Sequence, residues 1–114
     1  MKDDTRTLAW YRRGVVAVGA VTLLIGAHAL AATSPTIGIK EFKYGPPMLS
    51  FPVGSTVTWV NHDEEPHTVT SATGAFSSAG LVNEDTFVQT FTKPGTYEYF
   101  CKVHPFMKGT VVVK

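Results

Sequence analysis

The chain has 114 residues, 44% of them apolar and 17% charged, with a formal net charge of +1. That size suits one domain, and the composition excludes both a disordered polar chain and a strongly basic nucleic-acid binder. The single cysteine, Cys101, excludes an internal disulfide.

The chain opens with "MKDDTRTLAWYRRG", which holds Lys2, Arg6, Arg12 and Arg13. An apolar run from Gly14 to Ala32 follows, interrupted only by His28, to which no role is assigned. "ALA" at 29–31 has the small-x-small form of a signal-peptidase site. Residues 1–31 are therefore expected to be a secretory signal cleaved after Ala31. The alternative is an uncleaved membrane anchor through residues 14–32, since the run is just long enough to span. Either way the arginines stay on the cytoplasmic side and the rest is exported, to the periplasm or another extracytoplasmic compartment. The Arg12-Arg13 pair is a weak hint of twin-arginine export.

The exported domain, residues 32–114, carries six lysines against seven acids and has no strong electrostatic preference. Its pattern has a period of two. Strands are expected at 36–43, 48–51, 55–61, 67–72, 85–92, 96–101 and 109–114. In "GSTVTWVN" Val57 and Trp59 share a face; in "GTYEYFC" Tyr97, Tyr99 and Cys101 do. Breaker clusters such as "YGPPM", "NHDEEP", "ATGAFSSAG" and "KPG" separate these runs, and no sustained amphipathic helix is present. The expected fold is an all-β antiparallel sandwich or barrel. "HDEEP" reads as a solvated acidic turn, and the stretch through 72–84 carries no assigned function.

The last breaker holds the chemistry. "FCKVHPFMKG" sets Cys101, His104 and Met107 three residues apart. On a helix these would be a core stripe, but Pro105 lacks an N–H and disfavours helical backbone at His104, so the segment is a loop between two strands. Thiolate, imidazole and thioether together favour copper over magnesium or calcium, and methionine is a poor zinc ligand. Two histidines, a cysteine and an axial methionine make the blue-copper set, which requires one more histidine. His67, at a strand start, fits better than His62, which sits in the acidic loop. A lone thiol in an oxidising compartment also needs an occupant. A Cys–His protease pair is disfavoured, because nothing marks an orienting group or an oxyanion hole.

"TVTWVNHDEEPHTV", followed 34 residues after His67 by "CKVHPFMKGTVVVK", resembles the cupredoxins. The loop C-x-x-H-x-x-M with "HPFM" inside it resembles the amicyanin branch; plastocyanins and pseudoazurins usually have two more residues between the second histidine and the methionine. The similarity covers about 39–114. It implies a Greek-key β-sandwich, one type 1 copper ion cycling between Cu(I) and Cu(II), and outer-sphere electron transfer. By matching positions it implies His67, Cys101, His104 and Met107 as ligands. Amicyanins commonly carry Asn after the first histidine, where this chain has Thr68; the backbone N–H there tends to bond the cysteine sulfur. With no open coordination position the expected role is a one-electron carrier, not an enzyme. Its redox partners would meet it transiently near His104, Pro105 and Phe106, with the chain itself a monomer. The alternatives are copper delivery or buffering in the envelope and a redox subunit docked on a membrane enzyme. The domain has only Met48 and Met107 and no Met- or His-rich tract, which disfavours storage.

Overall fold

The computed structural model describes residues 30–114 and Gly19; the expected leader lies outside the described residues apart from these few positions. Eight strands follow in order: β1 Thr36–Lys40, β2 Lys43–Gly45, β3 Met48–Phe51, β4 Thr56–Asn61, β5 Thr70–Ser71, β6 Thr86–Thr90, β7 Gly95–Phe100 and β8 Lys108–Val113. They form two four-stranded sheets, β2-β1-β4-β6 and β3-β8-β7-β5, packed as an all-β sandwich.

The alternation read from the sequence is the burial pattern observed. In β4 Val57, Trp59 and Asn61 point inward while Thr56, Thr58 and Val60 are half-covered. Ile37 and Ile39 from β1 and Tyr99, Val111 and Val113 from β7 and β8 complete the core with Phe51, Phe76 and Phe91. Trp59 lies at its centre, with Tyr99 edge-on at 5.6 Å and Phe87 at 5.7 Å. Tyr99 lies across Gly109, its partner on β8; a Cβ there would stand 2.3 Å from the ring, so only glycine fits.

Three expectations change. The pairing is mixed, because β1 runs parallel to β4 and β3 parallel to β8. The chain leaves the first sheet after β2, crosses to the second for β3 and returns for β4. That crossover, rather than a hairpin, sets the parallel register. The strand expected over 36–43 is broken at Glu41 and Phe42, whose φ angles of 53° and 59° are left-handed. The strand expected over 67–72 shrinks to β5; before it His67 makes an isolated bridge with Leu81, and Thr68 and Val69 belong to no strand.

Candidate metal centre

Cys101 immediately follows β7, and the chain turns back through a tight loop before β8. Two backbone bonds close the loop: Met107 N–H donates to His104 O at 2.9 Å, and Cys101 N–H donates to Met107 O at 3.2 Å. The segment is a turn, as Pro105 requires. Cys101 and Met107 are thereby buried while His104 keeps a partly exposed edge.

His67 reaches the same place from the segment between β4 and β5. Its backbone pairs with Leu81, N–H to O at 3.0 Å and O from N–H at 2.7 Å. Farther along, Ser78 N–H donates to Val69 O and Ser78 Oγ accepts from Val69 N–H. The stretch through 72–84, to which the sequence assigned nothing, is therefore the brace for His67. Its signal was present in Phe76 and Leu81, both of them buried, in a run that is otherwise small and polar apart from exposed Val82.

The three strong donors converge. His67 Nδ1 and His104 Nδ1 lie 3.2 Å apart, and Cys101 Sγ is 3.9 Å from the first and 3.8 Å from the second. A point equidistant from all three stands about 2.1 Å from each, the length of a metal–nitrogen bond and a little under the roughly 2.3 Å of a metal–thiolate bond. The protonation pattern agrees. His67 Nε2–H donates to Asp63 Oδ2 at 2.8 Å, which leaves the Nδ1 lone pair free to face the centre. Among the described residues this is the one cluster of three or more such donors, and His62 is not part of it. His62 is half exposed, its Nδ1 3.3 Å from Glu84 Oε1, in keeping with a loop residue.

Two further contacts bind the ligand segments together. Thr68 N–H points at Cys101 Sγ at 3.4 Å, so the bond to sulfur is kept with threonine in the position. Thr68 Oγ1 accepts Lys102 N–H at 2.8 Å, tying the two segments through a side chain. The acidic turn departs from the sequence reading at one residue. Glu64 and Glu65 are exposed, but Asp63 is buried and accepts Glu41 N–H at 2.7 Å and Phe42 N–H at 3.0 Å besides the His67 ring. Burial works to raise its pKa; the Phe42 and Glu41 amides and His67 outweigh that and hold it below the ordinary carboxylate value. Asn61 anchors the turn, donating to Glu65 O and Leu81 O and accepting Asp63 N–H.

Residues 14–113 match the family described as cupredoxin-like domain. The chain belongs to the cupredoxin-like family. It is 42% identical over 93 residues to an amicyanin of Paracoccus denitrificans, covering 77% of this chain and 71% of that one. Amicyanin-alpha of Methylorubrum extorquens is 34% identical over 110 residues, with 87% and 92% covered. Among solved structures, a methionine variant of amicyanin with Cu(I) superposes with a TM-score of 0.68 at 37% identity, over 71% of this chain and 82% of that one. A purple cupredoxin from Nitrosopumilus maritimus gives 0.66 at 35%, over 70% and 99%. The sandwich is thus the cupredoxin Greek key, and one type 1 copper ion is the cofactor that the family and the donor set call for.

Proposed function

We propose that this cupredoxin is an exported one-electron carrier whose copper would be held by His67, Cys101 and His104, with Met107 as a weaker fourth donor. The observation that carries the reading is the donor triangle, whose atoms lie 3.2 to 3.9 Å apart, close enough to share one ion. When bound, copper supplies a single-electron couple between Cu(I) and Cu(II).

The protein's part is to keep the ligands still and the solvent out. His67 and Cys101 are fully buried and Met107 nearly so, which leaves no open face for a substrate. Each ligand is fixed by bonds outside the triangle: His67 by Asp63 and Leu81, Cys101 by Thr68, the loop by its own amides. Little rearrangement is then available on electron transfer, which favours speed. His104 is the partly exposed ligand, and its ring offers the short way out.

Beside it lie exposed apolar side chains: Phe106 is 70% exposed and Val103 52%, and a groove of about 390 Å³ next to Phe106 is lined by Phe42, Tyr44, Pro47 and Met107, with Glu41, Lys43 and Lys108 at its charged parts. Small apolar faces of this kind suit brief redox encounters by a monomeric carrier. The partners are redox proteins of the same exported compartment, which residues 1–31 direct the chain to reach.

The purified protein is titrated with Cu(II) and followed by visible and EPR spectroscopy. One equivalent should produce an intense charge-transfer colour that is lost in Cys101→Ser; a colourless product overturns the reading. Phe106→Glu should keep the colour and slow electron exchange with the physiological partner, and an unchanged rate would remove the apolar face from the account. Cell fractionation checks export, and mature protein retained in the cytoplasm would refute it.

A further inference from the structure

Glu41 and Phe42 are two successive non-glycine residues in left-handed backbone. Such conformations are strained and persist only where the surroundings impose them. Asp63, more than twenty residues away, imposes this one. Its Oδ1 takes Glu41 N–H at 2.7 Å and its Oδ2 takes Phe42 N–H at 3.0 Å. The same Oδ2 takes His67 Nε2–H at 2.8 Å. The carboxylate is itself fixed from behind: its backbone N–H donates to Asn61 Oδ1, and its C=O accepts Asn83 Nδ2–H at 3.1 Å.

The turn so held carries the Phe42 ring over the site. Phe42 stands edge-on to His67 at 5.1 Å and to His104 at 4.9 Å, with interplanar angles of 83° and 86°. It also stacks on exposed Phe106 at 6.4 Å. One buried side chain therefore governs three things: the tautomer of His67, the direction of its Nδ1 lone pair, and the aromatic cover shared by both imidazoles.

We infer that Asp63 is a positioning residue of the metal centre that lowers the reduction potential through His67 and shields both histidines through Phe42. The inference rests on the copper reading above. A carboxylate on the far nitrogen makes an imidazole a stronger donor, and a stronger nitrogen donor favours Cu(II) over the softer Cu(I). Neutralising Asp63 removes that preference and loosens the cover at once. Loss of such an outer partner typically weakens metal binding about 10–100-fold.

The test uses the copper-loaded full chain, its Asp63→Asn variant and a Phe42→Ala variant that keeps the carboxylate. Absence of colour in the wild-type protein defeats the copper reading itself and is seen before any comparison begins. With wild-type colour established, Asp63→Asn should raise the potential measured by voltammetry. A tenfold loss of Cu(II) affinity relative to Cu(I) corresponds to about 59 mV for one electron. Phe42→Ala should leave the potential closer to wild type and speed copper removal by a chelator. In the Cu(I) wild-type protein the His67 Nε2–H should give a slowly exchanging NMR signal. A coloured Asp63→Asn with an unmoved potential overturns the inference. If that variant does not fold, the wild-type signal decides, and exchange as fast as that of a free imidazole overturns it equally.

Discussion

Residues 101–107 bring three donors together within one loop, whereas residues 61–68 deliver a single donor, His67, and draw on distant parts of the chain to do so. The loop is closed by its own amides and anchored by β7 and β8. His67 depends on Leu81 for its backbone, on Asp63 for its ring and on Asn61 for the turn that holds Asp63. A metal ligand is only as well placed as the network behind it. Here that network is short on one side and long on the other.

The largest effect should come from breaking the long side at its root. Asn61 is fully buried and makes three bonds to the turn and to Leu81. Asn61→Ala leaves those groups without partners and should cost about 3 kcal/mol. Chemical denaturation of the apo protein measures it, and a loss below 1 kcal/mol would mean the turn is held by something else.

Next is an alkaline effect on the strand that leads into Cys101. Burial pushes the Tyr99 hydroxyl up from 10.0 to about 12, against a smaller opposing pull from the Trp59 side chain. Between those values the unfolded chain releases a proton that the folded protein keeps. Stability is therefore full below pH 10 and falls as pH rises toward about 12, by roughly 2 kcal/mol. Tyr99→Phe should be near neutral at pH 7 and should remove Tyr99's share of the alkaline decline, leaving the share of buried Tyr44, whose hydroxyl burial also pushes up. Thermal melts across the range will show whether it does.

Smaller again is the tie between the two segments. Thr68→Val keeps the amide bond to the sulfur but removes the acceptor for Lys102 N–H. It should cost about 1–2 kcal/mol and shift the visible spectrum little. The smallest effect belongs to the short side. Inserting two glycines between Phe106 and Met107 lengthens a loop already closed at both ends, and loop closure grows slowly with length. Apo stability should change by less than about 1 kcal/mol, while the cupric spectrum changes because Met107 is displaced. A fold that fails on this insertion would show that the loop is not the independent unit its hydrogen bonds suggest.

Much of the centre was legible in the chain because it is written in residue type and local spacing. Cys101, His104 and Met107 announce soft-metal chemistry by themselves, and Pro105 rules out the helix that would make them a core stripe. Choosing His67 over His62 needed only the idea that a ligand sits on a firm element. The supporting residues were not legible. Asp63 lies in an acidic run beside Glu64 and Glu65, and no local feature separates the buried carboxylate from its solvated neighbours. The difference is made by two amides of a turn more than twenty residues earlier. Phe42 was hidden for the same reason, inside what read as an uninterrupted strand.

The amino-acid order alone determined the alternating faces of the strands, the donor set proposed from residue type and the loop that carries three of its members. These follow from side-chain chemistry and from periodicities of a few residues. Tertiary structure decided the parallel pairings, the bracing of His67 by the segment before β6, and the conversion of one surface-like acid into a buried anchor. Burying a charge is favourable only when several donors meet it. Those donors come from segments that fold alone brings together.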